Sequence, residues 1–175
     1  MQAFDSLSRD IQQYIYDKGW PSLTNIQSAA IKQVANTDHN LILSAPTASG
    51  KTEAAFIPAL NSVEDWETGL KVLYVSPLKA LINDQFQRIS ELSEYLDIPI
   101  TRWHGEVSQT QKRKVVNQPK GILLITPESI EGMLVNRPGE AEHLFKGVEW
   151  IIIDELHSFL GTERGIHLQS LLQRI

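Results

Sequence analysis

Eight consecutive residues, Ala45-Pro46-Thr47-Ala48-Ser49-Gly50-Lys51-Thr52, have the pattern of a phosphate-binding loop, with alanine where the first glycine usually stands. Thr47, Ala48, Ser49 and Gly50 are small enough for backbone N–H groups to close around a phosphate, and a helix that begins there adds partial positive charge. We expect the Lys51 ammonium to reach the β- and γ-phosphates of a nucleotide and the Thr52 hydroxyl to bind Mg²⁺. The ordinary alternative is a strand-to-helix turn with an exposed lysine.

Two adjacent carboxylates, Asp154 and Glu155, directly follow the apolar run Trp150–Ile153. Ligands of open α/β sheets bind at the carboxyl ends of the strands. Asp154 would hold Mg²⁺, directly or through water, and Glu155 would orient and deprotonate an attacking water. An isolated Asp-Glu pair is usually a solvated turn. This pair lies about 100 residues after the phosphate-binding loop, with strands between them, and together the two motifs predict an NTPase site.

His157 could instead belong to a metal site with Asp154, His167 or His104. The chain has no cysteine and no H-E-x-x-H spacing, so we expect no zinc held by the protein.

Gln27 allows two interpretations. Its amide could donate to and accept from the adenine edge that carries N6 and N7. It also lies three residues after Thr24, which is the spacing of a capping box at a helix start. The local sequence favours neither interpretation.

The pattern of apolar residues predicts an α/β fold, a mostly parallel sheet with helices on both faces. Two N-terminal helices come first: one with a single apolar face at Leu7, Ile11, Tyr14 and Ile15, and one that begins at Thr24. Short runs rich in β-branched residues then alternate with amphipathic stretches; the predicted strands are residues 41–43, 72–75, 98–103, 122–125 and 150–153. The clearest later helix covers residues 78–96. An α+β fold with antiparallel pairs is the alternative.

Composition restricts the class of protein. The chain has 175 residues, 42% of them hydrophobic, and a net charge of −5, which fits one globular domain. No apolar run is long enough to span a bilayer, so we expect no membrane partner, and a cytoplasmic location is the simplest expectation. The acidic balance argues against coating of nucleic acid by a global positive field, although a local basic groove is compatible with it.

The order and spacing of the motifs resemble superfamily 2 helicases, in particular the first RecA-like lobe of the DExH group. The Gln27 segment resembles their Q motif, with Phe4 as the upstream aromatic that packs near the base. Residues 45–52 resemble motif I and residues 154–157 motif II, so the resemblance implies Lys51, Asp154, Glu155 and His157 as catalytic residues. Residues 76–81 resemble motif Ia and residues 126–129 motif Ib. Within the group, residues 77–81, 105–108 and 164–168 are most similar to Lhr-like large helicases.

The resemblance also implies ATP and Mg²⁺ as cofactors and single-stranded nucleic acid as partner, with DNA favoured over RNA. The implied contacts with the strand are Ser76, Pro77, Lys79, His104, Gly105, Thr126, Pro127 and Glu128. They supply hydroxyl donors and a cation at strand ends. The basic run at residues 112–114 is either a solvated helix face or an extension of this track.

The sequence departs from the family pattern at two points. Ala48 replaces a common glycine, and we expect phosphate binding to survive because alanine is small. The apolar stripe of residues 168–175 runs into the C-terminus, so we expect the chain to end inside a helix or just after it, before motif III. We also expect a single ATP-binding domain over residues 1–175, with the second RecA-like domain missing. The competing functions are a P-loop small-molecule kinase and an ATP-regulated scaffold that does not unwind nucleic acid.

Overall fold

A computed structural model of the chain describes residues 2–46 and 48–175. The chain divides into two compact units, Met1–Glu64 and Asp65–Ile175. Among the described residues, none of the helices combines the length and the apolar character needed to cross a bilayer.

The first unit is helical. A 3-10 turn at Phe4–Ser6 precedes α1 (Arg9–Asp17), α2 (Asn25–Asn36) and α3 (Lys51–Ser62). Ile11, Tyr14 and Ile15 are buried on the predicted face of α1, so both predicted N-terminal helices are confirmed. Asn61 of α3 connects this helix to the start of the chain: its Oδ1 accepts from the Ser8 backbone N–H at 2.6 Å.

The predicted strand at residues 41–43 is wrong: this segment has no regular secondary structure, and Ile42 is 81% exposed. The remaining described residues of the first unit form helices, turns and loops. A strand is stable only when its backbone pairs with another strand. Because the described residues of this unit supply no strand for the segment to pair with, its apolar composition is not sufficient to form a strand.

The second unit contains a four-stranded sheet with the order β2-β3-β1-β4. Its strands are β1 (Gly69–Val75), β2 (Ile100–Trp103), β3 (Lys120–Ile125) and β4 (Trp150–Ile153). All three neighbouring pairs are parallel. The helices are α4 (Lys79–Tyr95), α5 (Gln109–Asn117), α6 (Pro127–Asn136), α7 (Pro138–Phe145) and α8 (Glu163–Leu172). The α/β class is confirmed, and the antiparallel alternative is wrong.

The hydrophobic core of this unit lies around β1 and β3. Leu73, Val75, Leu123 and Ile125 are fully buried and form one cluster with apolar residues of α5 to α8. The alternate residues Val72, Ile122 and Leu124 are equally buried, and α4 contacts β2 and β3. Because residues on both faces of β1 and β3 are buried, these strands are continuous apolar runs in the sequence. Helix α8 ends at Leu172, three residues before the last residue.

Candidate nucleotide-binding site and nucleic-acid interface

The predicted phosphate-binding loop leads directly into α3. Gly50, the residue before the helix, has φ +84°, and Ala48 has φ +60°, so both adopt left-handed backbone. No side chain among the residues that the structure describes caps α3, so its first backbone N–H groups lack there the side-chain acceptor that usually satisfies them. A phosphate is a suitable acceptor there because the helix start also carries partial positive charge. Thr47 lies outside the described residues.

Two side chains of this loop have polar atoms that a phosphate could satisfy. The Lys51 ammonium donates to the carbonyl oxygen of Ala45 at 2.7 Å, and the side chain is exposed. The Ser49 hydroxyl is buried and has no hydrogen-bond partner among the described residues. Buried hydroxyls are normally paired. The loop therefore fits a nucleotide phosphate, which would draw Lys51 away from the carbonyl.

Gln27 forms the capping box of α2. Its Oε1 accepts from the Thr24 backbone N–H at 2.9 Å, while its own backbone N–H donates to the Thr24 hydroxyl at 3.4 Å. The structural interpretation of Gln27 is thus confirmed, and the side chain is buried against Gly50. Phe4 begins the 3-10 turn and is half-buried, and its carbonyl accepts from Gln12 Nε2 at 2.9 Å.

Asp154 follows β4 in the second unit. Its backbone N–H donates to the Val75 carbonyl at 2.9 Å, which continues the pairing of β4 with β1. One carboxylate oxygen, Oδ1, accepts from the Glu155 backbone N–H at 2.9 Å. The other, Oδ2, is buried without a hydrogen bond of normal geometry among the described residues. A buried oxygen of this kind fits a divalent cation, which prefers carboxylate ligands.

Two neighbours define the surroundings of the acidic pair. Burial and then the adjacent Asp154 carboxylate raise the pKa of Tyr74 above its ordinary range, so the phenol keeps its proton and is a potential donor toward Asp154. Glu155 adopts left-handed backbone with φ +48°, which is costly for a residue with a side chain and is common at functional sites. Its carboxylate lies 3.2 Å from Nδ1 of His157.

The predicted motif Ia and Ib residues lie side by side. Val75 pairs with Ile125 in the parallel sheet, so the residues after them, Ser76 and Thr126, leave the sheet at the same edge. Ser76 is fully buried, and its hydroxyl is 3.5 Å from the Leu78 carbonyl oxygen. The Thr126 hydroxyl caps α6 by accepting from the Ser129 backbone N–H at 3.3 Å. In this state both hydroxyls support their own loops.

Lys79 and His104 differ in accessibility. Lys79 begins α4 and is exposed, and its ammonium is paired with the Glu106 carboxylate. His104 is only 5% exposed, and neither ring nitrogen has a hydrogen-bond partner among the described residues. Burial lowers the pKa of His104. Gly105, beside it, is exposed, so Lys79 and Gly105 are accessible to a strand and His104 is not.

Glu128 is held by a residue to which sequence analysis gave no role. Pro127 and Glu128 form the first turn of α6. The Arg164 guanidinium donates to Glu128 Oε1 from Nε at 3.1 Å and from one terminal nitrogen at 2.6 Å, and to the Pro77 carbonyl at 2.9 Å. Arg164 lies in one of the Lhr-like segments, but sequence spacing contains no signal for contacts across 36 and 87 residues.

The structure therefore brings Gln27 and Gly50 together in the first unit, and the acidic pair and the motif Ia and Ib loops to the strand ends of the second. In the described part of the chain, no three histidine, aspartate or glutamate side chains are grouped so as to hold a metal ion. A magnesium ion would thus need ligands from the nucleotide or from water.

Comparison with known families gives one match that covers most of the chain. The profile of the DEAD/DEAH box helicase family matches residues 24–175. An ATP-dependent helicase Lhr-Core of Methanocaldococcus jannaschii is 30% identical over 99% of the chain. The Lhr helicase/uracil glycosylase of Escherichia coli is 35% identical over 87% of the chain. The chain spans only 22% and 11% of these two relatives.

Solved structures give the same relationship. The Mycobacterium smegmatis helicase Lhr bound to single-stranded DNA and AMP-PNP superposes with a TM-score of 0.86, at 29% identity over 99% of the chain and 23% of that protein. The helicase MrfA gives a TM-score of 0.83 at 27% identity over 97% of the chain and 26% of that protein. The resemblance to the Lhr branch and to RecA-like helicase lobes is confirmed.

Proposed function

Because this chain belongs to the DEAD/DEAH box helicase family, we propose that it is the ATP-binding RecA-like lobe of a helicase or translocase that moves along single-stranded nucleic acid. The uncapped, left-handed loop at the start of α3 is the observation that carries the proposal. The order of the motifs and the match over residues 24–175 support it. The chain spans only 11–26% of the relatives compared, so the rest of the motor, including a second lobe, is part of the proposal.

We assign one chemical role to each site residue. Lys51 and the backbone of Ala48 to Gly50 bind the phosphates, Thr47 and Ser49 line them, and Gln27 and Phe4 lie near the base. Thr52 and Asp154 hold Mg²⁺, which neutralises charge on the β- and γ-phosphates when bound. Glu155 accepts the proton of the attacking water, with His157 beside it.

The contacts with the strand are proposed at the ends of β1 and β3. Lys79 and Gly105 supply exposed contacts, and the loops that begin at Ser76 and Thr126 supply backbone donors. The side chains of Ser76 and His104 are buried, so we assign them no direct contact with the strand. DNA is favoured over RNA because the similar Lhr and MrfA structures contain DNA.

The test is ATP hydrolysis by the longest natural polypeptide that contains this sequence, with and without single-stranded DNA or RNA. We expect stimulation by the strand and its loss in Lys51→Ala, while Lys32→Ala, which changes an exposed lysine of α2, serves as the matched control. ATP hydrolysis that depends on a metabolite instead would indicate a kinase, and nucleotide binding without stimulated hydrolysis would indicate a scaffold. Full activity of Lys51→Ala would refute the site.

The 175-residue chain alone should bind nucleotide weakly and hydrolyse it very slowly. We assign the arginines that stabilise the transition state to the proposed second lobe, and such arginines are worth a factor of about 10³–10⁵ in rate. Turnover by the isolated chain at the rate of the longer polypeptide would contradict this expectation.

A further inference from the structure

Arg164, in the segment that follows β4, connects the loops that follow β1 and β3 at one edge of the sheet in the second unit. It stands at the second position of α8, in the segment that follows Asp154 and Glu155. Its guanidinium bonds the Pro77 carbonyl after β1 and the Glu128 carboxylate after β3, at 2.6–3.1 Å. These are the motif Ia and Ib loops that the proposed function places against nucleic acid.

The backbone that carries Arg164 is fixed by its neighbours. The Thr162 hydroxyl caps α8 by accepting from the Gly165 backbone N–H at 3.2 Å. A Cβ on Gly165 would lie 2.0 Å from the Phe159 carbonyl oxygen, so only glycine permits this approach. Phe159 is 2% exposed, and the guanidinium carbon lies 5.5 Å from the centre of its ring. Arg164 therefore extends from an anchored helix start.

A second contact between α8 and α6 lies one turn further along both helices. His167 Nε2 is 2.9 Å from Glu131 Oε2, and Arg174 also pairs with Glu131. These hydrogen bonds lower the pKa of the Glu131 carboxyl. The pairs Arg164–Glu128 and His167–Glu131 thus join the two helices at matching positions, and Arg164 alone among these side chains also bonds the motif Ia loop.

We propose that Arg164 is a positioning residue for strand binding, an inference that rests on the proposed function. Because a trans peptide is planar, holding the Pro77 carbonyl also fixes the direction of the Leu78 backbone N–H. The same guanidinium neutralises Glu128, whose charge at the start of α6 would otherwise repel a phosphate there. Arg164 sets the spacing of the two loops and removes an opposing charge, without itself binding the strand.

The experiment compares Arg164→Ala and Arg164→Lys with the wild type in the longest natural polypeptide that contains this sequence. Affinities for fluorescent oligo(dT) and for a fluorescent ATP analogue are measured across a salt series. We expect Arg164→Ala to weaken oligo(dT) binding about tenfold, the loss typical of a charge-assisted hydrogen-bond network, and to change nucleotide affinity less than twofold. The salt dependence should be unchanged, because a positioning residue releases no counterion. Arg164→Lys should recover part of the loss.

A second variant separates positioning from general support of the fold. In the Arg164→Ala background, Glu128→Gln should restore oligo(dT) affinity several-fold, because the carboxylate charge that Arg164→Ala exposes is gone. Arg9→Ala, which changes an exposed arginine of α1, is the matched control.

Five results would overturn the inference. A salt slope reduced by about one would make Arg164 a direct phosphate contact. A parallel loss of nucleotide and oligo(dT) affinity would make its role structural, as would failure of Glu128→Gln to restore binding. Unchanged oligo(dT) affinity in Arg164→Ala would refute the inference alone. A wild type that binds no oligo(dT) would refute the proposed function and this inference with it.

Discussion

The side-chain amide of Gln27 occupies the space into which a side chain at residue 50 would project: a Cβ placed on Gly50 lies 2.5 Å from Nε2 of Gln27. The amide is not free to swing away, since its oxygen accepts from the Thr24 backbone N–H. The capping box of α2 and the start of α3 are therefore in direct contact. Gln27 acts as a structural element of the phosphate-binding loop whether or not it also contacts a base.

Gly50→Ala should destabilise the first unit for two reasons. The left-handed backbone at φ +84° disfavours alanine by about 1–2 kcal/mol, and the new methyl group meets Gln27. We expect a lower free energy of unfolding in urea and weaker nucleotide binding. Gly19→Ala is the matched control because Gly19 has φ +66° with no atom within 4 Å of a Cβ. Adding Gln27→Ala to Gly50→Ala should recover the part of the lost unfolding free energy that comes from the contact with Gln27. Equal losses of unfolding free energy in Gly19→Ala and Gly50→Ala would show that this contact is unimportant.

Ala48→Gly should change the stability of the first unit in the opposite direction to Gly50→Ala. Ala48 has φ +60°, so glycine removes a backbone strain of about 1 kcal/mol. Glycine also increases the entropy of the unfolded chain, which lowers the stability of the fold by about 0.4–1 kcal/mol. We therefore expect a stability change between zero and about 1 kcal/mol in the stabilising direction, with nucleotide affinity retained. A clear loss of stability in urea unfolding would mean that the methyl group of Ala48 makes a contact that outweighs its strain.

The sequence predicted those parts of the fold that depend on local pattern. Strands β1 and β3 were predictable because they are buried on both faces, and helix α4 because it is buried along one stripe, and both kinds of burial leave a pattern in the residues. Strand β4 was predictable from its run of four apolar residues, although Ile151 is exposed. Residues 41–43 have the same composition as a strand, but strand formation requires a partner edge, and local sequence does not specify one. Local sequence likewise did not specify the tertiary partners of residues 164–168, and this segment was recognisable only by its resemblance to the family.

The site residues likewise fall into those whose position local sequence predicts and those whose position depends on tertiary packing. The spacing of the motifs was enough to place three of them: Lys51 begins a helix, and Asp154 and Thr126 each directly follow a strand. The burial of Ser76 and His104 depends on how side chains pack within the second unit, which no spacing reveals. Glu106, which pairs with Lys79, and Tyr74, which lies beside Asp154, were missed because both relationships join residues far apart in the chain.

Glu106→Gln should strengthen strand binding. In the free protein the Lys79 ammonium is paired with Glu106, and this contact lowers the pKa of the Glu106 carboxyl. A phosphate must compete for the same ammonium, so removing the charge should tighten oligo(dT) binding by up to about fivefold at low salt, the scale of an exposed ion pair. Thermal stability should hardly change.

Lys79→Ala is the complementary variant. It should weaken oligo(dT) binding and reduce the slope of log affinity against log salt by about one, because one phosphate contact is lost. Lys146→Ala, an exposed lysine after α7, should change neither. If Lys79→Ala leaves the slope unchanged, Lys79 is not a phosphate contact and the effect of Glu106 needs another cause.

Stability should depend on pH through His104. Burial holds the pKa of His104 below its ordinary value of 6.5; the charge of Glu106 opposes this effect, whereas Arg102, Lys79 and Lys112 add to it. As the pH falls through 6.5, the unfolded chain takes up a proton at this residue and the folded chain does not. The contribution of neutral His104 is therefore complete above pH 6.5 and is lost progressively as the pH falls toward the folded pKa.

His104→Gln tests this dependence because glutamine is polar and does not titrate. We expect the difference in unfolding free energy between wild type and variant to be constant above pH 7 and to shift in favour of the variant below pH 6.5, as measured by urea unfolding at pH 5.5, 6.5 and 7.5. His143→Gln, at an exposed position of α7, is the control for replacing a histidine. A constant difference down to pH 5.5 would mean that His104 gains a proton as readily in the folded chain as in the unfolded one, and that its unpartnered ring nitrogens are hydrated in solution.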